Sequence, residues 1–114
     1  MMKIFVGETS EAMGAAAAKL IAEKINEAIK EHGEARIVLS TGSSQFETMS
    51  PYQIMQCKCI VSAVPHNVKA NAIFNLLAAT QTSNMVPATL LKEHSDFNLF
   101  IDADSASMCT KDML

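Results

Sequence analysis

A proline-free, alanine-rich stretch, residues 11–32, stands between two short apolar runs, and this spacing constrains the fold more than any other feature of the chain. The flanking runs are residues 3–6 (Lys-Ile-Phe-Val) and residues 35–40 (Ala-Arg-Ile-Val-Leu-Ser). Met13, Ala17, Leu20, Ile21, Ala28 and Ile29 recur on one helical face, with Glu23, Lys24, Glu27, Lys30 and Glu31 mostly opposite. Thr9 or Ser10 suits the N-cap, and Gly33 suits the left-handed position after the last turn. A strand, a long amphipathic helix and a second strand are therefore predicted. A crossover of that length joins parallel strands, with the apolar helical face on the sheet.

The rest of the chain repeats the alternation. Ser50, Pro51 and Gln53 are a helix start, with serine as N-cap and proline in the first turn, and this short helix is expected to end near Cys57. Residues 59–64 read as a third strand, ended by Pro65. Asn67 suits the N-cap of a further helix, whose apolar surface is Val68, Ile73, Leu76 and Leu77. Residues 80–84 read as a polar loop, residues 87–91 as a short helix and residues 97–102 as a fourth strand. This order of elements predicts a single α/β domain over residues 1–114, with a parallel sheet and right-handed crossovers.

Composition excludes several function classes. Of the 114 residues 49% are hydrophobic and 18% charged, which is too apolar and too weakly charged for a disordered chain. The net charge is −3 and no basic stripe carries interleaved aromatics, so nucleic acid is not an expected partner. No apolar run reaches the ~20 residues of a membrane span, and residues 1–7 are too short for a signal peptide. The three cysteines are odd in number, and Cys57-x-Cys59 is not a zinc spacing. Cys59 opens an apolar strand and reads as a buried, reduced thiol, which points to the cytoplasm. His32, His66 and His94 are scattered, so neither a metal nor a cofactor is expected.

Ser40-Thr41-Gly42-Ser43-Ser44 follows the second apolar run and precedes the helix-competent residues 45–48. Free backbone N–H groups and hydroxyls at a helix start suit a phosphate. No Gly-Lys-Ser/Thr follows, so this is not a P-loop, and an ordinary strand-to-helix turn capped by serine fits the same residues. Asp102 and Asp104 close the last strand and read as turn-forming carboxylates. His66 reads as a cap or surface group, since nothing in the sequence supplies an orienting partner.

Two blocks of the chain resemble the glucosamine-6-phosphate deaminase/isomerase family. Residues 1–48 resemble its N-terminus through Met2-Lys3-Ile4, the alanine-rich helix and Leu39-Ser-Thr-Gly-Ser-Ser44. Residues 49–114 resemble its C-terminus through Pro65-His-Asn-Val-Lys-Ala70, Asn84-Met-Val-Pro-Ala-Thr-Leu-Leu91 and Leu99-Phe-Ile-Asp-Ala-Asp104. Family members are more than twice as long, and their middle section is missing here. With it go the proton-transfer carboxylate, the acid/base group around Asn-Asp-Gly-His and a phosphate-holding arginine. The resemblance implies phosphate binding by Thr41, Gly42, Ser43, Ser44 and Lys69, and no catalytic residue. Its implied fold is a three-layer α/β/α domain around a small, doubly wound, mainly parallel four-stranded sheet. With the central strand lost, the expected order is 2-1-3-4, numbered along the chain.

The implied function is that of a deaminase/isomerase-like protein of amino-sugar metabolism that keeps a phosphate loop but is not catalytic alone. Its implied ligand is a phosphorylated amino sugar or free phosphate, bound weakly. The other reading is a remnant or an engineered deletion acting only as a structural or self-associating α/β module. Where the gap is not closed within one chain, a partner supplies strands by swapping or packs over the exposed apolar face, and a homodimer through surfaces exposed by the deletion is expected.

Overall fold

The structure, a computed structural model, describes residues 2–39, 51–82 and 87–114. Its sheet has three strands, β1 (Met2–Gly7), β2 (Ile60–Val64) and β3 (Phe97–Asp102). Both pairings are parallel and the order is β1-β3-β2. Among the described residues three α-helices accompany it: α1 (Ser10–His32), α2 (Pro51–Met55) and α3 (Ala70–Ala78). Short 3-10 helices cover Asn67–Lys69, Pro87–Glu93 and Lys111–Met113. The α/β class and the parallel sheet follow the sequence reading.

The ends of α1 are set by the residues singled out for them. The Thr9 hydroxyl accepts the Ala12 N–H at 3.1 Å, which satisfies one of the free amides of the first turn. Gly33 has φ 77° and donates its N–H to the Ile29 carbonyl, a conformation that glycine adopts without a Cβ penalty. Gly7 is fixed by closeness instead, because a Cβ there would lie 2.8 Å from the Met13 nitrogen. That contact brings the start of α1 hard against the end of β1.

Every residue of β3 is buried, which explains its central place. Successive side chains of a strand point to opposite faces. Phe97, Leu99 and Ile101 pack with Ile73 and Leu76 of α3 and with Ala106. Phe100 packs with Met13 and Ala17 of α1, and Leu20 and Val61 join them. The Phe5 ring flanks Phe100 at 5.6 Å between centroids, within the range of favourable aromatic pairs.

Three expectations are corrected. The predicted order 2-1-3-4 put the last strand at an edge, but it is the middle strand, with the other two pairing only to it among the described residues. Phe97, Leu99 and Ile101 of the run 97–102 join the cluster with α3 and Phe100 the one with α1, while Asn98 and Asp102 are buried with hydrogen bonds; β1 and β2 are only partly buried. Of the strand predicted over residues 35–40, the described part is not in the sheet: residues 34–39 lie outside any ladder, with Ile37 61%, Val38 59% and Leu39 82% exposed. Asn67 is not an N-cap either. It opens the 3-10 turn, and the capping position falls to His66, with no side-chain bond.

A polar cluster marks the N-terminal edge of the sheet. Asp96, just before β3, lies 3.7 Å from the Lys3 ammonium and 3.4 Å from that of Lys24. It also accepts a bond from Asn98 Nδ2 at 3.0 Å. Asn98 chiefly, with Cys59 and Lys24, holds the Asp96 carboxyl below the usual carboxylate range despite partial burial. Asp96 in turn raises the Lys24 ammonium. Burial pushes the Cys59 thiol up, and Asp96 adds to it, in keeping with an unreactive, half-buried cysteine. The Asp96 N–H donates to His94 Nδ1 at 2.9 Å, so the other ring nitrogen carries the proton and donates to the Cys57 carbonyl.

Candidate functional site

In a parallel sheet the strand C-termini share one edge, and ligands of open α/β folds bind beyond it. Here β1, β2 and β3 reach that edge at Gly7, Val64 and Asp102. Asp102 is buried and organises the turn after β2. Its Oδ2 accepts the His66 N–H at 3.1 Å, and its Oδ1 accepts the Ser105 N–H at 2.7 Å. The Ser105 hydroxyl accepts the Asp102 N–H at 3.1 Å. These donors, the Ser105 amide first, hold the Asp102 carboxyl below its ordinary range against the opposing effect of desolvation. Asp102 is thus a turn-forming carboxylate, as its position in the sequence suggests.

His66 takes φ 76° and ψ 149°, a region costing a non-glycine residue roughly 1–3 kcal/mol. Its bond to Asp102 compensates and bends the chain sharply after Pro65. The 3-10 turn follows at once. Lys69 donates its N–H to the His66 carbonyl at 3.1 Å, and Ala70 donates to that of Asn67. The N–H groups of Asn67 and Val68 precede the first bonded amide of this turn and so have no intrahelical acceptor. Asn67, Val68 and Lys69 are all exposed. The Lys69 ammonium has no ion pair or hydrogen bond among the described residues.

This turn offers two amides and a flexible cation at the positive end of α3, a donor set suited to a singly held anion. It offers no acid–base machinery. Asp102 is occupied by backbone amides, and among the described residues no side chain orients the exposed His66 ring. No group of three or more His, Cys, Asp or Glu that could hold a metal occurs among the described residues. Of the five predicted phosphate contacts, Lys69 is found at the sheet's C-terminal edge. Thr41, Gly42, Ser43 and Ser44 lie outside the described residues.

A separate open recess of about 400 Å³ is lined by Thr80, Thr82, Thr89, Lys92 and Glu93, among others. Its lysine has a structural task, since Lys92 Nζ donates to the Leu76 and Ala79 carbonyls at 3.1 and 2.7 Å and so closes the C-terminal end of α3. Sequence reasoning missed this cap, as it missed His94 and the cluster around Asp96. Polar residues ahead of the apolar run 97–102 were the one signal for the cluster.

No family model, no curated protein and no solved structure matches the chain.

Proposed function

We propose that the chain is a deaminase/isomerase-like domain of amino-sugar metabolism that binds a phosphorylated amino sugar, or free phosphate, weakly and does not catalyse alone. The observation that carries this reading is the Lys69 turn: an exposed ammonium, without a partner among the described residues, and two leading amides at the C-terminal edge of a parallel sheet. The position matches the one implied for the phosphate-contacting lysine by the resemblance of residues 65–70. Thr41, Gly42, Ser43 and Ser44 are proposed as further donors to the same anion, and a three-layer α/β/α arrangement as their frame. The buried Asp102 charge beneath the turn opposes an anion, which fits weak binding. A cytoplasmic setting agrees with the free state of Cys57, Cys59 and Cys109.

The test is thermal. Glucosamine 6-phosphate or inorganic phosphate at millimolar concentration raises the melting temperature by a few degrees, through preferential binding to the folded state. Lys69→Ala abolishes that rise without changing the melting temperature of the free protein. An unchanged rise in the variant rejects the Lys69 site. No rise at all leaves the purely structural or self-associating module as the reading. Release of ammonia from glucosamine 6-phosphate above the buffer rate contradicts the non-catalytic part.

A further inference from the structure

The molecule carries two complementary surfaces that no described residue pairs. The first is the outer edge of β1, whose ladder runs to β3 alone among the described residues. Phe5 and Val6, toward its end, are 40% and 41% exposed. The second is residues 34–39, which contain Ile37, Val38 and Leu39, all largely exposed and outside any ladder. β-branched and leucine side chains in extended chain are strand material, and an open strand edge is a template for it.

We propose that residues 34–39 of one copy add as a parallel strand to the β1 edge of a second copy, with reciprocal exchange around a two-fold axis. The position of α1 favours a second copy over the chain's own edge. Met13 sits against Gly7 at the C-terminal edge of the sheet, and Lys24 reaches Asp96 at the N-terminal edge. Residues 25–32 of α1 therefore continue past the sheet, by about 12 Å at 1.5 Å per residue. Ile29, on this projecting part, is 48% exposed. Beginning that far out, residues 34–39 would use about half their ~20 Å reach in returning to their own β1, and could cover only its first residues.

Length agrees with this. The six residues 34–39 match the 6 residues of β1. Exchange in both directions buries each segment and each edge, yet still engages fewer residues than the roughly 20–30 per side of a standard interface. The dimer therefore belongs to the weak, concentration-dependent class. Backbone pairing supplies its direction.

The experiment is sedimentation of the full chain from about 5 to about 500 µM, with amide hydrogen exchange at both ends of that range. Expected is a monomer–dimer transition within it, and exchange protection of residues 36–39 and of the outward amides of β1 at high concentration only. Val38→Lys and, independently, Leu39→Glu place charge at exposed positions, so both fold as the wild type does. Both are expected to abolish the dimer and leave the dilute melting temperature unchanged. A monomer throughout, a dimer that survives both substitutions, or protection of residues 36–39 that is the same at both concentrations overturns the proposal. The last of these outcomes would mean pairing with the chain's own edge.

Discussion

The Asp102 carboxylate joins the ends of β2 and β3 by accepting the His66 and Ser105 amides. Because its folded pKa is depressed, the stability it confers is present above the unfolded value of about 3.9 and is lost as pH falls through the lower folded value. Asp96 acts in the same direction from the other edge of the sheet. The melting temperature is therefore expected to fall as pH drops below about 4. Asp102→Asn lowers stability at neutral pH and flattens that acid fall, which denaturation at a series of pH values will show; an equally steep fall in the variant contradicts the assignment. His66→Gly relieves the positive φ and should stabilise the fold by about 1 kcal/mol in urea unfolding. Gly7→Ala drives a methyl group into the backbone of Met13 and should cost about 1–3 kcal/mol in the same measurement. Thr9, Gly33 and the Ser105 turn of Asp102 were legible in the sequence because their work is done on amides and carbonyls a few residues away, whereas the bond of Asp102 to His66, 36 residues apart, was not. His94, Lys92 and Asp96 were not, since their partners Cys57, Leu76 and Lys24 come close only through the tertiary fold.

Among the elements, α1 was the most legible, because periodicity, cap and stop signal agreed along 23 residues. Its stability should respond accordingly. Thr9→Ala removes the bond to Ala12 and should cost about 1 kcal/mol. Gly14→Ala meets nothing within 4 Å and should gain about 0.5–1 kcal/mol by stiffening the helix interior. Denaturant midpoints of the two variants should move in opposite directions, and a shift in the same direction would contradict the helix ends described. The strands were legible as apolar runs but not as positions in a sheet. Residues 35–39 and residues 97–101 look alike as short apolar runs, yet one is exposed outside the ladder and the other is the buried centre. What separates them is the number of faces that find a partner: α1 and α3 supply two for β3, whereas the projecting end of α1 carries residues 35–39 away from both.

At the scale of the molecule, alternation of helices and strands foretold a parallel α/β domain, while strand order depended on which run could be buried on both sides. The candidate site follows from that architecture. A parallel sheet gathers its outgoing turns at one edge, and the turn fixed there by Asp102 and His66 leaves Lys69 and two amides facing solvent. Binding at this turn is the property that the proposed function puts to measurement. The most direct measurement is an amide chemical-shift titration of the full chain with glucosamine 6-phosphate. The account predicts saturable shifts at Asn67, Val68 and Lys69 and at Thr41, Gly42, Ser43 and Ser44, all lost in Lys69→Ala. Shifts that do not saturate, or that centre on the recess around Thr80 and Thr89, would contradict it.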